Sequence, residues 1–169
     1  LFERAYLDIE TSYTGEITVV GICLLPDEIV QLVGDEITES NLMDALAPAS
    51  VIVTYNGNRF DLPTIKRAVG LDLRARFTSH DLMYECWRRG LYGGLKGAER
   101  QLGISRETDG ITGRDAPILW DRYVSGGDQD ALDLLLCYNR DDVVNLVFLE
   151  RRLEDFANRG GHIRYPGRA

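Results

Sequence analysis

The apolar and polar positions divide the chain into a strand-rich first half and a helical second half. Ala5 to Glu10 (AYLDIE) is an apolar run whose polar residues arrive toward its end, and Ile17 to Leu24 (ITVVGICL) is a stronger β-branched run. Thr11 to Gly15 between them has turn composition, so the two read as an antiparallel hairpin. Pro26 and Asp27 make the next turn, and Glu28 to Val33 (EIVQLV) alternates as a half-buried third strand. Thr38 to Leu46 has a short helical pattern, and Ser50 to Tyr55 (SVIVTY) is a compact strand ending at the turn pair Asn56-Gly57. Asp61 can cap a helix that takes Pro63 in its first turn and stops at Gly70. Phe77 to Asp81 supplies a last short strand before a helix over Leu82 to Arg89.

Leu95 to Leu102, Pro117 to Tyr123 and a long run from Gln129 to Phe156 then read helical, punctuated by Gly103, Gly110, Gly113, Gly126 and Gly127. In the last run Leu132, Leu135, Val143, Leu146, Leu149 and Leu153 recur at helical spacing, as one long helix or as two that meet near Cys137. This order of elements predicts an α/β domain, a mixed sheet of about five strands flanked by helices. Its 169 residues suit one core. The domain is expected over residues 1–157, with a basic, Gly-rich tail over 158–169.

Composition narrows the class. Hydrophobic residues at 44% and charged residues at 27% exclude a disordered or collagen-like chain. There is no apolar run of 18 residues and no basic-then-apolar leader, so a cytoplasmic protein without a membrane partner is expected. The first residue is leucine, so the chain is read as a fragment, a trimmed form or a chain missing its start, with room for further domains in a full-length protein. Cys23, Cys86 and Cys137 sit in apolar stretches and read as reduced core thiols, and with only two histidines a Cys/His zinc site is excluded. Acids outnumber bases 27 to 19, for a net charge of −8, which taken alone argues against a general nucleic-acid binder. The excess lies before residue 86, where 14 acids face 6 bases.

Asp8 and Glu10 lie two apart in the first strand, so both point to one face while Leu7 and Ile9 point to the other. Two acids together on one strand face either meet open water or repel until a positive partner relieves them. A metal ion is the commonest such partner. Asp61 opens a helix just after the Ser50 to Tyr55 strand; it is a cap, a ligand or both. Asp142 follows Tyr138 by four helical positions, which puts phenol and carboxylate on one face. Carboxylates without sulfur or histidine suit Mg²⁺ or Mn²⁺. Four of them could hold two ions about 3.5–4 Å apart, the arrangement used for in-line phosphoryl displacement.

Three segments carry a resemblance. YLDIET at Tyr6 to Thr11 resembles the first motif of the ribonuclease-H-like 3′-to-5′ exonucleases. TYNGNRFDLP at Thr54 to Pro63 is similar to the second motif as it occurs in family B DNA polymerase proofreading domains, and YNRDD at Tyr138 to Asp142 fits the third in its YxxxD form. SHDLMYECWRR and YGGLKGAERQLGI resemble stand-alone exonuclease domains of bacteria and archaea, and the likeness covers roughly residues 3 to 155. It implies a ribonuclease-H-like fold of the DEDDy branch, with two Mg²⁺ or Mn²⁺ ions held by Asp8, Glu10, Asp61 and Asp142, and with Tyr138 orienting the attacking water. Cys137 stands where the histidine branch carries its base, which favours the tyrosine assignment.

The resemblance also implies that Asn56 lies near the substrate strand and that backbone groups at Thr11 and Ser12 contact the terminal nucleotide. Asn58, Arg59, Arg88, Arg89, Lys96 and Arg114 are candidate polar and phosphate contacts, with Tyr13, Phe60 and Tyr92 as stacking aromatics. The expected activity is removal of nucleoside 5′-monophosphates from single-stranded or frayed 3′ ends of DNA or RNA. A catalytically silent nucleic-acid-binding domain and a ribonuclease-H-type endonuclease are the competing readings.

Overall fold

The computed structural model describes residues 3–158. In chain order the elements are β1 (Arg4–Thr11), β2 (Ile17–Leu25), β3 (Glu28–Val33), α1 (Glu39–Leu46), β4 (Val51–Thr54), α2 (Asp61–Val69), β5 (Thr78–Asp81), α3 (Leu82–Arg88), α4 (Gly94–Leu102), α5 (Ala116–Gly126) and α6 (Gln129–Asn158). The sheet order is β3-β2-β1-β4-β5. β1, β2 and β3 form an antiparallel meander, while β4 and β5 run parallel to β1. The expected mixed five-stranded sheet flanked by helices is therefore what forms. The tail expected over 158–169 lies, beyond Asn158, outside the described residues.

Side-chain alternation on the central strand decides what each face of the sheet buries. Ala5, Leu7 and Ile9 join Val20, Ile22 and Ile52 beneath Leu42 and Leu46 of α1 and Leu62 and Ile65 of α2. Tyr6, Cys23 and Val53 face the other way, against Leu82 and Cys86 of α3 and Val143, Leu146 and Leu149 of α6. Fully burying one such leucine is worth about 1.5–3 kcal/mol, so the β1 register is strongly fixed. That register sends Asp8 and Glu10 to the α6 side.

The long apolar run is one helix of 30 residues. No Gly or Pro interrupts Gln129 to Asn158, and at 1.5 Å per residue the rod is about 45 Å long. Among the described residues no helix is long and apolar enough to cross a membrane. Two of the expected roles of local residues differ. Asp61 is the first residue of α2 and not its cap; the cap position is Phe60, which makes no side-chain cap bond. At the cap position of α5, the Asp115 carboxylate accepts from the Thr112 N–H and hydroxyl and makes no bond to the α5 amides. Cys137 is half-buried, so it is not the core thiol that its apolar neighbours suggest.

Two polar anchors tie α6 to β1. Near the start of the strand, buried Glu150 accepts from Arg4 Nε at 3.1 Å, the Tyr6 hydroxyl at 2.6 Å and His80 Nδ1 at 3.1 Å. Burial pushes the Glu150 pKa up, but these donors outweigh it and hold the carboxyl at about 2. Farther along, Asn139 is fully buried over Gly21, the β2 residue paired with Asp8. A Cβ at Gly21 would stand 2.2 Å from Asn139 Oδ1. Gln31 Nε2 holds that same oxygen at 3.0 Å and also reaches the Leu136 carbonyl at 2.8 Å, so Asn139 has little freedom to move aside. Gly21→Ala should therefore destabilise the fold by about 1–3 kcal/mol, as overpacking does. Urea unfolding measures it, and an unchanged midpoint would mean that α6 yields without cost.

Candidate metal centre

β1 outlasts its parallel neighbour. Pairing with β4 runs from Arg4 opposite Val51 to Tyr6 opposite Val53 and stops there. Beyond that point the Ile9 N–H donates to Asp61 Oδ1 at 3.0 Å, so the start of α2 is fastened to the open edge of the strand. On the other edge the β1–β2 register shifts between Glu10 and Thr11, a bulge at the end of the acidic segment. The turn after β4 is held by Asp81, whose two oxygens accept from the Asn56 N–H at 2.7 Å and the Asn58 N–H at 3.2 Å. Asn56 has φ 63°, a left-handed conformation that asparagine tolerates better than most residues. Asp81 also caps α3 through the Met83 N–H at 3.1 Å.

Asp8, Glu10 and Asp142 come together, each offering one oxygen, with those atoms within 4.8 Å of one another. Asp8 is half-buried, while Glu10 and Asp142 are 6% and 7% exposed. Burial is the largest influence raising the proton affinity of Asp8 and Glu10 well above the carboxylate range, followed by the charges of Asp142 and Asp61, with Glu10 adding to the rise at Asp8. Asp142 is pushed up to about 6 by burial, against the opposing pull of Arg106. Asp61 lies outside the three-oxygen group. It is buried too, and burial raises it to about 7 although the Ile9 N–H favours its charged form.

Glu10 Oε1 is buried without a hydrogen-bond partner among the described residues. An orphaned carboxylate oxygen among like charges costs several kcal/mol unless a proton or a cation meets it. Three converging oxygens with no sulfur or imidazole fit a hard divalent cation such as Mg²⁺ or Mn²⁺.

The surrounding groups point the acids inward. Asn139 Nδ2 donates to Asp8 Oδ2 at 3.2 Å, from the pocket that Gly21 leaves. Tyr138, one turn before Asp142, is buried, and its ring centre is 4.4 Å from Lys96 Nζ and 5.4 Å from the Arg106 guanidinium. Burial first, then the charges of Asp142, Glu10 and Asp8, pushes its phenol pKa upward, so the hydroxyl keeps its proton. An open cleft of about 280 Å³ exposes the centre, lined by Asp8, Tyr55, Lys96, Gly113, Tyr138 and Asp142 among others.

The expected substrate residues divide. Lys96 lines this cleft, with Tyr92 59% exposed just before Gly93 and exposed Arg114 just after Gly113 at its rim. Thr11, Ser12, Asn56, Asn58 and Phe60 do not line it. Asn58 Oδ1 is taken by the Ser79 hydroxyl at 2.6 Å, the Ser12 hydroxyl is 2.9 Å from that of Thr14, and Phe60 is 46% exposed.

Three neighbours of the centre escape sequence reasoning. Asn139 and Tyr55 sit inside the motif segments yet have no pattern of their own; Tyr55 lines the cleft, and its buried hydroxyl has no hydrogen-bond partner among the described residues. Arg106 comes from a Gly-bounded loop without periodicity, and its guanidinium bonds to Asp142 Oδ1. Only the excess of acids over bases hinted that a buried cation would be needed.

No curated protein matches the chain. A family model described as the RNase_H superfamily matches residues 5–154. That span takes in the acidic strand, the Asp61 turn and the helix that brings Tyr138 and Asp142 to them, and the chain belongs to the RNase_H superfamily.

Proposed function

We propose that this domain is a two-metal-dependent 3′-to-5′ exonuclease that hydrolyses phosphodiester bonds of DNA or RNA and releases nucleoside 5′-monophosphates. The observation that carries the reading is the convergence of Asp8, Glu10 and Asp142, with Glu10 Oε1 orphaned, beside a buried tyrosine in an open cleft. Asp8, Glu10 and Asp142 would hold Mg²⁺ or Mn²⁺, with Asp61 adding charge from the edge of β1. When bound, such ions lower the pKa of water and stabilise charge on the leaving 3′ oxygen and the phosphoryl group.

The protein's own groups supply the rest. Tyr138 keeps its proton and can orient a water molecule or a phosphate oxygen without acting as general base. Lys96 sits over that ring and donates to the Ile111 carbonyl, which leaves positive charge at the cleft wall where a phosphate would approach. The cleft is at the small end of ligand sites, which suits one terminal nucleotide of a single-stranded or frayed end better than a duplex.

Incubation of 5′-labelled single-stranded DNA and RNA with Mg²⁺ or Mn²⁺ should give a ladder shortening one nucleotide at a time. Asp8→Asn should abolish it with the fold intact, and Tyr138→Phe should slow it about 10²-fold through lost orientation. Internal cuts as first products, or undiminished digestion by Asp8→Asn, would remove the assignment.

The acids also predict a pH effect on stability. A carboxyl whose pKa is raised by folding binds its proton more tightly in the folded chain, so stability falls as pH climbs through the folded values, about 6 for Asp142 and about 7 for Asp61. The metal-free protein should melt higher at pH 5.5 than at pH 8, and Mn²⁺ should raise Tm more at pH 8. The His80–Glu150 pair acts in the same direction, since bonding to Glu150 raises the His80 pKa. Asp8→Asn leaves that pair in place and should flatten the profile; a slope unchanged in that variant refutes the cluster as its source.

A further inference from the structure

Asp142 is held from behind by a buried relay. Arg106 Nη2 bonds to Asp142 Oδ1, and Arg106 Nη1 donates to both oxygens of Glu99 at 2.8 and 2.9 Å. Glu99 is buried in α4 and accepts in addition from Asn145 Nδ2 of α6 at 3.1 Å. The loop carrying Arg106 is pinned to α6 twice more, through Asn145 Nδ2 to the Ser105 carbonyl at 3.1 Å and through the Thr108 N–H and hydroxyl to Asp141 Oδ2 at 2.8 and 2.6 Å. The Arg106 side chain is 7% exposed. A planar guanidinium keeps its charge, and here it is bonded to carboxylates on two helices, which fix its place from both sides.

The consequence falls on how Asp142 can bind an ion. The Arg106 bond takes one lone pair of Oδ1 and fixes the plane of the carboxylate, so Oδ2 is the oxygen left unencumbered. Asp8 is in the same condition, because Asn139 Nδ2 occupies its Oδ2. Ca²⁺ takes six to eight oxygens and gains from carboxylates that chelate with both; Mg²⁺ demands a near-ideal octahedron and takes one oxygen from each, as Mn²⁺ in a hard-oxygen site can.

We propose that Arg106 is a positioning residue that tunes the metal specificity of this centre: by holding Asp142 Oδ1 it restrains the carboxylate against turning both oxygens symmetrically onto one ion and so favours Mg²⁺ and Mn²⁺ over Ca²⁺. The proposal rests on the reading of Asp8, Glu10 and Asp142 as metal ligands. It also separates cleanly from simple charge effects. The positive charge of Arg106 repels every divalent ion alike, so its removal changes all affinities together, whereas the loss of geometric constraint changes their ratio.

The test is titration of the metal-binding protein with MnCl₂ and with CaCl₂ by isothermal calorimetry and thermal shift, without nucleic acid. Wild type, Arg106→Lys and the double variant Glu99→Gln/Arg106→Met are compared. The lysine variant keeps the charge but loses the fork that spans two carboxylates. The double variant removes the guanidinium without leaving Glu99 buried and unpaired. Both should lower the Mn²⁺:Ca²⁺ affinity ratio about tenfold or more, a change of the size seen when groups behind a metal ligand are altered. If the double variant gives no cooperative melt, the lysine variant alone decides. A ratio unchanged in the folded variants, with both affinities moving together, overturns the proposal and leaves Arg106 a structural ion pair. Wild-type protein that binds neither ion overturns the metal reading itself, a result distinguishable from an unchanged ratio.

Discussion

The repulsion among Asp8, Glu10, Asp61 and Asp142 is the constraint around which the rest of the structure is arranged. Four carboxylates drawn from β1, α2 and α6 are held together under burial, where each would rather keep a proton than a charge. Nothing in hydrophobic packing favours such a cluster. It persists because the apolar halves of the same elements leave no other placement: Leu7 and Ile9 lock β1 from below, and Val143, Leu146 and Leu149 lock α6 from above. The surplus from those contacts offsets the electrostatic cost.

Each acid is then steered by a different kind of neighbour. A backbone amide takes Asp61, a carboxamide takes Asp8 and a guanidinium takes Asp142. Glu10 is the one of the four with a buried oxygen that has no hydrogen-bond partner among the described residues. Each of these donors bonds to one oxygen of its carboxylate and so restrains how that carboxylate can turn. In that sense the polar core is half complete by design of its packing, and a cation is what its geometry accepts.

What could be read in the sequence follows from range. Alternation in β1 and the four-residue step from Tyr138 to Asp142 are local patterns, and local geometry carries them into the fold. Asp61 was legible as a site residue but misleading as a cap, because an aspartate at the head of a helix looks the same whether it bonds its own amides or those of a strand 52 positions away. Cys137 misleads for a related reason: α6 packs on more than one side, so an apolar neighbourhood in sequence does not locate a residue inside it. Arg106 was invisible. Its two partners, Glu99 and Asp142, are 7 and 36 positions distant, and no periodicity links a loop residue to either. The need for Gly21 is likewise set by Asn139, from another element entirely.

The unbroken helix α6 joins segments that lie far apart in the chain. Asn139 meets Asp8 across 131 positions, and Glu150 meets Tyr6 across 144. Contacts of such long sequence separation form late, because the entropy of closing the intervening loop must be overcome first. During synthesis β1 emerges well before α6 and waits, its acids unpaired, until that helix is made. A nascent chain therefore holds no assembled centre. The order of the genetic message keeps the acids of β1 apart from Asp142 until the sheet that must contain them is already in place.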